Sequence, residues 1–272
     1  MEKSLNKNRI TVLGTGTSTG IPMLGCSCSV CTSLDHRDQR MRTSIFIETK
    51  KGKKFLVDTS PDLRSQLLSN KISALDFVII THDHADHLHG IDDLRPLSFG
   101  PPPRDIPVYT NSETKKSIEV RFPYIFAFKN KPMIGGGVPR LNLVSVELEK
   151  NITIEGEEFF FFNYPHGHGV TMGFIHDDFA YIVDCMELSP HIIKILRERK
   201  LKLLIIDCLQ RKDHSTHLTV EKCFGYIREI KPEQTGLIHM GHDLSHNVIE
   251  SLASTEFDES VFPLYDSQKL FY

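Results

Sequence analysis

Short apolar runs separated by turn residues repeat along the chain, a pattern typical of β-strands in a mixed fold. Runs rich in β-branched and aromatic residues predict strands at 10–13, 44–48, 55–58, 77–81, 108–110, 144–148, 158–163, 172–175, 180–184, 203–207, 235–239 and 261–264. Apolar positions at helical spacing predict helices at 61–68, 87–94, 112–122, 190–200, 220–229 and 248–254. Strands and helices neither alternate regularly nor segregate, so we expect a layered α/β or α+β fold in which helices pack outside two sheets.

The composition fits one folded domain over residues 1–272. Hydrophobic residues make up 40% and charged residues 25% of the chain, the proportions of a soluble globular protein, and no change in composition divides it. The longest apolar runs, 159–162 and 203–206, are far shorter than the roughly 18 residues of a membrane span. Residues 1–9 are polar, unlike a secretory signal. We therefore expect a cytoplasmic protein that does not act on a membrane.

The charge balance does not favour nucleic acid as a partner. The chain has 32 basic and 35 acidic side chains and a net charge of −3, whereas a dedicated nucleic-acid binder shows a basic face. Four lysines surround Gly52 in residues 50–54, which is typical of a solvated hairpin turn. Histidine is as frequent as proline, with 14 residues of each. The candidate chemistry therefore depends on where the histidines cluster.

Four candidate metal ligands, His82, His84, Asp86 and His87, directly follow the apolar run 77–81. If the chain stays extended there, His82 and His84 point to the same side. Asp86 and His87 then start the next helix, where adjacent side chains diverge. Imidazole and carboxylate groups suit zinc, iron or manganese. The spacing therefore predicts a metal site that uses all four residues.

The motif His82-Asp83-His84-Ala85-Asp86-His87 resembles the His-x-His-x-Asp-His signature of the metallo-β-lactamase fold superfamily. The resemblance extends along nearly the whole chain and implies a four-layer αββα sandwich, with two mixed sheets inside and helices on the outer faces. It also implies further ligands from later loops, namely His166, Asp184 and His239. His168 competes with His166, and the spacing to Gly173 favours His166.

By this resemblance, two divalent ions, zinc or manganese, occupy the active site. The ligands divide into His82, His84 and His166 for one ion and Asp86, His87 and His239 for the other, with Asp184 shared. Such ions, about 3.5–4 Å apart, bridge a water, lower its pKa and neutralise charge on the attacking and leaving oxygens. Asp58, after the run 55–57, corresponds to an aspartate that orients a ligand histidine, although a strand cap is a competing interpretation.

A second candidate metal site is the cysteine cluster Cys26, Cys28 and Cys31. Three closely spaced thiols cannot pair internally, and in a chain without a secretory signal they indicate a metal rather than a disulfide. Structural zinc takes four ligands. The cluster follows the segment Leu13-Gly14-Thr15-Gly16-Thr17 and resembles that of the phosphoribosyl cyclic phosphodiesterase branch of the superfamily, which implies His242 as the fourth ligand. Three reduced surface thiols are the competing interpretation.

The segment His214-Ser215-Thr216-His217 resembles the His-x-Thr-His segment of the same branch. There the second histidine protonates the leaving oxygen, which implies that His217 is the general acid and that His214 supports it. The metal-holding carboxylates Asp86 and Asp184 complete the catalytic set. We therefore predict hydrolysis of a small phosphodiester, with a cyclic ribose phosphate as one candidate, by attack of a hydroxide that bridges the two ions.

Three other functions stay open on the sequence alone. A tRNA 3′-processing endonuclease shares the metal motif, but this chain shows no long basic arm for gripping tRNA. A thioester or lactone hydrolase remains an alternative, because the motif does not choose among ester-like bonds. A zinc-stabilised binding scaffold without activity would have lost ligands, whereas all seven positions are filled. The resemblance also leaves a homodimer open.

Overall fold

The computed structural model describes residues 6–127 and 137–272. In these ranges the strands are β1 (Arg9–Gly14), β2 (Ser44–Glu48), β3 (Lys54–Val57), β4 (Phe77–Ile79), β5 (Ile106–Thr110), β6 (Leu141–Ser145), β7 (Asn151–Ile154), β8 (Glu157–His166), β9 (Gly169–His176), β10 (Phe179–Ile182), β11 (Leu203–Asp207), β12 (Gln234–Ile238), β13 (Val261–Pro263) and β14 (Lys269–Phe271). The α-helices are α1 (Leu63–Ser69), α2 (Ala85–Leu88), α3 (Arg95–Ser98), α4 (Ser112–Arg121), α5 (Pro123–Phe126), α6 (Pro190–Glu198), α7 (Val220–Ile230) and α8 (His246–Phe257).

The fourteen strands found in the described ranges form two mixed sheets of seven. The first sheet has the order β14-β1-β2-β3-β4-β5-β6 and is antiparallel as far as β3 and parallel from β3 to β6. The second has the order β13-β12-β11-β10-β9-β8-β7 and is parallel from β13 to β10 and antiparallel beyond it. Hairpins join most of the antiparallel neighbours, whereas the parallel neighbours need longer crossovers.

The two sheets pack face to face on a central core. This core is rich in aromatic rings from both sheets, including Phe55, Phe77, Phe159, Phe174 and Tyr181. Helices α1, α2, α4 and α5 cover the outer face of the first sheet, and α6, α7 and α8 cover the outer face of the second. The structure therefore confirms the predicted four-layer αββα sandwich.

The sequence pattern does not predict the short elements β7, β14, α3 and α5. β7 and β14 are edge strands of three or four residues, so little burial marks them in the sequence. The strand predicted at 144–148 is wrong in position, because Leu141 and Leu143 supply its buried face and β6 ends at Ser145. The helix predicted at 87–94 is instead α2 followed by a 3₁₀ turn, Ile91–Leu94.

None of the helices in the described part of the chain is long and apolar enough to cross a lipid bilayer.

The connections that leave β3, β4, β10, β11 and β12 converge at one edge of the sandwich. Asp58 and His82 lie in those that follow β3 and β4, and Asp184 in the one after β10, while Asp207 ends β11 and His239 follows β12. Carboxyl ends of parallel strands meet at the same edge of a sheet, where ligand sites of α/β folds form. This arrangement brings polar side chains of both sheets together.

Candidate metal centres and active site

The histidine motif occupies the connection from β4 to α2. β4 ends at Ile79, and the chain is still extended at His84, which caps α2 with φ −65° and ψ 152°. Asp86 and His87 lie in α2, and both side chains are buried. The extended segment and the first helical turn therefore present their ligands in different directions, as the spacing predicts.

Three further residues of the site come from the second sheet. His166 ends β8, Asp184 follows β10 by two residues, and His239 follows β12 directly. Asp184 and His239 have φ values of 51° and 63°, in the left-handed region that is costly for residues other than glycine and is found at functional sites. Both side chains contact the histidine motif, so the turn of the backbone serves to direct them across the gap between the sheets.

The first cluster contains His82, His84, His166 and Asp184, whose candidate ligand atoms all lie within 4.8 Å of one another. Nε2 of His166 is 3.1 Å from Nδ1 of His84 and 3.5 Å from Oδ2 of Asp184. Nε2 of His82 is 3.1 Å from the same carboxylate oxygen. Ligands about 2.0–2.2 Å from a tetrahedral ion lie about 3.3–3.6 Å apart. The distances in this cluster therefore suit one ion.

The second cluster contains Asp86, His87, Asp184 and His239, again within 4.8 Å. Nε2 of His87 is 3.2 Å from Oδ2 of Asp86 and 3.2 Å from Oδ2 of Asp184. Nε2 of His239 is 2.8 Å from Oδ1 of Asp184 and 3.6 Å from Oδ2 of Asp86. Asp184 thus belongs to both clusters, the position that the sequence predicts for a shared ligand.

The arrangement of the donor atoms suits coordination of metal ions better than hydrogen bonding among the side chains themselves. Nε2 of His82, His87 and His239 and Oδ1 of Asp184 are buried and have no hydrogen-bond partner among the described residues. Their short contacts therefore lack hydrogen-bond geometry. Buried polar atoms are rarely left unpaired, and a divalent cation satisfies such converging lone pairs. Imidazole and carboxylate donors in this number suit zinc or manganese.

The protein environment gives the two clusters different charge. Burial opposes protonation of His239, but the Asp184 carboxylate raises its pKa to about 10. Burial also opposes protonation of His87, yet Asp184 and Asp86 raise its pKa well above the ordinary value. At His166 burial prevails and lowers the pKa to about 4. The first cluster therefore offers a neutral His166 imidazole at pH 7, whereas the second holds protons that an ion displaces.

Asp58 supports the motif from the end of β3. Its Oδ2 accepts a hydrogen bond from Nδ1 of His87 at 2.7 Å. Its carboxylate also accepts hydrogen bonds from the amide and the hydroxyl of Thr81 at 2.8–3.0 Å. The contact with Nδ1 leaves Nε2 of His87 directed to the second cluster, as an orienting carboxylate does at metal sites. The interpretation as a strand cap does not account for this contact.

His217, the predicted general acid, lies beside both clusters. Its ring centroid is 4.9 Å from that of His239 and 4.8 Å from that of His166. Its Nδ1 is 3.1 Å from Oδ2 of Asp207 and 3.9 Å from Oδ1 of Asp184. The side chain is mostly buried and faces the Asp184 carboxylate that the two clusters share.

Asp207 is a site residue that the sequence analysis misses. It is fully buried at the end of β11, and its Oδ2 accepts hydrogen bonds from the amides of Cys185 and Leu218 at 3.0 and 3.3 Å as well as facing His217. Its Oδ1 lies 3.8 Å from Nδ1 of His239. Asp207 therefore holds His217, the predicted general acid, and lies beside the candidate ligand His239. The available signal was an aspartate that ends an apolar strand, the same signal that points to Asp184.

The segment before α7 also supports His166. The carbonyl of Thr216 accepts a hydrogen bond from Nδ1 of His166 at 2.9 Å, which leaves Nε2 free for the first cluster. Nδ1 of His214 lies 3.2 Å from the hydroxyl of Thr216. The competing residue His168 is exposed and belongs to neither cluster in the described residues. The structure thus gathers all seven residues of the predicted dinuclear site, and their metal-binding and catalytic roles stay predictions.

The cysteine cluster comes together with His242. Sγ of Cys26, Cys28 and Cys31 lies 3.3, 3.5 and 3.7 Å from Nδ1 of His242. Bonds of about 2.3 Å to sulfur and about 2.0–2.1 Å to nitrogen, at the tetrahedral angle, place sulfur and nitrogen about 3.6 Å apart. The amide of Cys31 lowers the pKa of Cys28 to about 6. The four residues therefore fit one structural zinc ion.

The cysteine-bearing loop packs against the loop that begins at His239. The amide of Met240 donates to the carbonyl of Thr15 at 2.9 Å. The buried guanidinium of Arg40 donates to the carbonyl of Gly241 at 2.9 Å. These contacts join the loop that bears the cysteines to the loop that carries His239.

Comparisons with known proteins agree with this fold. Residues 53–240 match the model of the Beta-lactamase superfamily domain. A solved structure, described as a new diphosphatase from the PhnP family, superimposes with a TM-score of 0.86 and 32% identity and covers 98% of this chain and 97% of that one. Human tRNase Z, short form, superimposes with a TM-score of 0.65 over 96% of this chain and 98% of its own, but at 16% identity this likeness shows the fold alone.

The curated relatives are longer than the chain. An octanoyltransferase from Porphyromonas gingivalis is 36% identical over 235 residues, which are 86% of this chain and 46% of that protein. Coenzyme PQQ synthesis protein B from Methylobacterium radiotolerans is 29% identical over 100 residues, 32% of this chain and 33% of that protein. The chain thus spans about half of the first relative and matches a third of the second. The family-model match and the similarity to the PhnP-family structure along almost the whole chain show that this chain belongs to the metallo-β-lactamase superfamily and, within it, to the PhnP family.

Proposed function

We propose that this metallo-β-lactamase-type hydrolase is a phosphodiesterase that cleaves a small phosphodiester, with cyclic ribose phosphates among its candidate substrates. The observation that carries the proposal is the position of His217. Its Nδ1 contacts Oδ2 of Asp207 and lies 3.9 Å from Oδ1 of Asp184, the carboxylate that both clusters share. A proton donor fixed at this point serves a reaction whose leaving group needs a proton.

The residues of the two clusters would hold two divalent ions, zinc or manganese, and Cys26, Cys28, Cys31 and His242 would hold a structural zinc. Two ions in the active site supply Lewis acidity, which activates a water and neutralises charge on the phosphoryl oxygens. Asp184 spaces the two binding positions, because its carboxylate faces ligands of both clusters. Asp58 and the carbonyl of Thr216 each orient one ligand histidine.

His217 has one nitrogen available for the reaction. Asp207 is a carboxylate acceptor, so Nδ1 of His217 donates to it and Nε2 delivers the proton to the leaving oxygen. An alkoxide is a poor leaving group and gains much from protonation, whereas a thiolate, with a pKa of about 8.5, gains little. A built proton donor therefore supports phosphodiester cleavage over thioester cleavage.

The relatives are compatible with several substrates. The PhnP-family structure is that of a diphosphatase, whose substrate, like a phosphodiester, is cut at phosphorus. The relative from Porphyromonas gingivalis carries the name octanoyltransferase, and the matching segment covers less than half of it. A net charge of −3 offers no general attraction for tRNA. The whole protein's substrate and partners are therefore part of the proposal, with a phosphodiester as the candidate favoured by His217.

The test is turnover of a substrate panel by protein loaded with zinc or with manganese. The panel contains a cyclic ribose phosphate, a linear aryl phosphodiester, a pre-tRNA and a thioester. We expect hydrolysis of the two phosphodiesters and loss of that activity in Asp184→Asn, while His168→Ala, an exposed histidine outside the clusters, retains it. Turnover of the thioester with no turnover of either phosphodiester would refute the proposal.

A further inference from the structure

A buried phenol connects the strand that carries His166 to the segment that carries Asp184. Tyr164 lies on β8, two residues before His166, and its side chain packs in the core between the second sheet and helices α6, α7 and α8. Its hydroxyl donates a hydrogen bond to the carbonyl of Val183 at 2.8 Å and accepts one from the amide of Val183 at 3.0 Å. A tyrosine hydroxyl can do both at once. The phenol therefore holds both sides of the residue that precedes Asp184.

This contact passes over an intervening strand. β9 lies between β8 and β10 in the second sheet, so the phenol of Tyr164 must cross β9 to reach Val183. It crosses beside Gly173, where a Cβ would lie 2.8 Å from Cε1 of Tyr164, closer than Cβ atoms in folded proteins approach a ring carbon. A glycine within a strand is often found where another group approaches the backbone closely. Gly173 therefore leaves the room that the phenol occupies.

The bond to Val183 bears directly on the backbone angle of Asp184. The carbonyl of Val183 and the amide nitrogen of Asp184 belong to one planar peptide group, and φ of Asp184 is the rotation of its Cα relative to that plane. Asp184 has a φ of 51°, in the left-handed region where a Cβ is sterically disfavoured. Such a conformation persists only when the surrounding structure restrains it. Tyr164 supplies this restraint on the N-terminal side of Asp184.

Two further hydrogen bonds restrain the C-terminal side of Asp184. The amide of Cys185 donates to Oδ2 of Asp207 at 3.0 Å, which holds the peptide plane after Asp184 and hence its ψ. The amide of Met186 donates to the carbonyl of Pro165 on β8 at 3.0 Å. The segment is therefore tied to β8 both before and after Asp184.

The carboxylate on this segment is the one that both clusters share. Its oxygens lie 3.1 Å from Nε2 of His82 and 2.8 Å from Nε2 of His239, so a rotation of the Asp184 backbone moves ligand atoms of both clusters at once. We propose that Tyr164 is a positioning residue for the candidate dinuclear centre, and that its hydroxyl sets the orientation of the Asp184 carboxylate. The proposal rests on the metal centre of the proposed function, not on its substrate, and Tyr164 acts through Asp184.

Tyr164→Phe removes the hydroxyl and keeps the ring beside Gly173. We expect the affinity for Mn²⁺ to fall about 10–100-fold, the usual effect of removing a group that orients a metal ligand. Titration of the protein with Mn²⁺, followed by electron paramagnetic resonance of the free ion, measures this affinity. Thiolate ligands favour zinc over manganese, so Mn²⁺ reports on the histidine clusters rather than on the cysteine site.

The same spectra report whether the bound ions share a ligand. Two Mn²⁺ ions bridged by one carboxylate are spin-coupled, whereas separate ions give the signal of isolated Mn²⁺. We expect saturated wild-type protein to show the coupled signal and saturated Tyr164→Phe to lose most of it. A residue that only contributes to the stability of the fold would not change this signal in the folded, saturated protein.

Tyr226→Phe is the matched control. The hydroxyl of Tyr226 also accepts a hydrogen bond from a backbone amide after β10, that of Leu188, at 2.9 Å, but Leu188 is four residues beyond Asp184. We expect Tyr226→Phe to keep the Mn²⁺ affinity and the coupled signal of the wild-type protein. Urea unfolding of metal-free protein measures the loss of stability in both variants and separates it from the loss of affinity.

Gly173→Ala tests the same contact without removing a polar group, and it carries the test if Tyr164→Phe does not fold. Its Cβ displaces the Tyr164 ring, so we expect weaker Mn²⁺ binding and a weaker coupled signal, with smaller changes than in Tyr164→Phe. Phe162→Leu is the control for this variant, because the Phe162 ring is the other group that the Cβ meets, at 2.9 Å. We expect Phe162→Leu to keep the coupled signal.

The outcomes separate this proposal from the proposed function. Wild-type affinity and coupling in Tyr164→Phe overturn the assignment, and so do equal losses in Tyr164→Phe and Tyr226→Phe. If wild-type protein shows the coupled Mn²⁺ pair but hydrolyses no phosphodiester, the proposed substrate fails, and the metal measurements still decide the role of Tyr164. If wild-type protein binds no coupled pair, the dinuclear centre and the role of Tyr164 fail together.

Discussion

At the scale of single residues, the pair His217 and Asp207 distinguishes the candidate active site from a site that only binds metal ions. Two ions alone would not need a histidine whose Nδ1 lies 3.1 Å from a fully buried carboxylate. Removal of a general acid costs a reaction typically about 10²–10⁴-fold, and the loss depends on how badly the leaving group needs a proton. A general acid can therefore be recognised by a loss of activity that grows as the leaving group becomes more basic.

We therefore expect His217→Ala to lower kcat for an alkyl phosphodiester about 10²–10⁴-fold and for a p-nitrophenyl diester less than about tenfold, since p-nitrophenolate leaves unprotonated. Steady-state kinetics on the matched pair of substrates measures the difference. Asp207→Asn keeps the shape of the side chain but removes the negative charge that faces His217. We therefore expect a smaller loss of kcat, again greater for the alkyl than for the p-nitrophenyl diester. Equal losses on both substrates would assign His217 a role in binding instead.

Asp58 contacts a candidate metal ligand but does not belong to either cluster. Because it holds Nδ1 of His87 at 2.7 Å, Asp58→Asn is expected to weaken metal binding about 10–100-fold, the usual effect of removing a carboxylate behind a ligand histidine. Competition with a chromogenic chelator measures the affinity. Asp83→Asn is the matched control, since Asp83 lies in the same motif but contacts Ser117 and Arg121 on α4. Unchanged affinity in Asp58→Asn would leave Asp58 as a strand cap.

The sequence could predict which residues meet at the site, but not every residue that orients them. His166 is separable from His168 by its spacing to Gly173, and the structure places only His166 in a cluster. The only mark of Asp207 in the sequence is that it ends an apolar run, and this mark does not separate a site residue from a strand cap. Its importance comes from burial and from the hydrogen bonds of two amides and one histidine, which exist only once β11 lies between β10 and β12.

At the scale of elements, the cysteine loop and the loop after β12 form one unit around the candidate zinc site. The thiols lie 3.3–3.7 Å from His242, and His242 is three residues beyond His239. We expect Cys31→Ser to reduce bound zinc by one ion per chain and to lower kcat, because His239 loses the support of its loop. Metal content by mass spectrometry and steady-state kinetics measure the two effects. Thr32→Ala, an exposed neighbour, is the control, and full activity in zinc-depleted Cys31→Ser would contradict the coupling.

A buried acid joins the connection after β13 to both ends of the connection between β1 and β2. Asp266, after β13, accepts hydrogen bonds from the amide of Met41 at 2.7 Å and from the hydroxyl of Thr15 at 2.8 Å. Burial raises its pKa from 3.8 to about 7. Between these values the folded protein keeps a proton that the unfolded chain releases, so this group lowers the free energy of unfolding as pH rises, by about 1.4 kcal/mol per pH unit.

Asp266→Asn removes this titration while its amide can mimic the protonated acid, donating to Thr15 and accepting from Met41. We expect the free energy of unfolding of the wild-type protein to fall relative to that of the variant by up to about 4 kcal/mol between about pH 4 and pH 7, and to change no further above it. Urea titrations across this range measure the difference. A difference that does not change with pH would show that Asp266 is ionised throughout.

At the scale of the whole molecule, the candidate active site lies where two sheets meet. The histidine motif follows β4 of the first sheet, whereas His166, Asp184 and His239 come from the second. The layered fold was predictable, because aromatic and β-branched runs recur along the chain with turn residues between them, and the resemblance carried by the histidine motif supplied the order of the four layers. The edge strands β7 and β14 were not, since strands of three or four residues bury few side chains and leave little pattern. The pairing of β14 also depends on β1, which is distant in sequence.

Ions bound by these two clusters would link the two sheets, so we predict that removing them destabilises the whole sandwich. The unfolded chain cannot hold the ligands in this geometry, so binding adds about 4 kcal/mol to the free energy of unfolding when free ion exceeds the dissociation constant about 1,000-fold. Protein stripped with a chelator should unfold at a lower temperature than loaded protein, with the difference measured by calorimetry. His242→Ala should keep most of the gain from active-site ions, whereas Asp184→Asn, which touches both clusters, should lose it. If Asp184→Asn is stabilised by added zinc as strongly as the wild-type protein, the ions do not bind between the sheets.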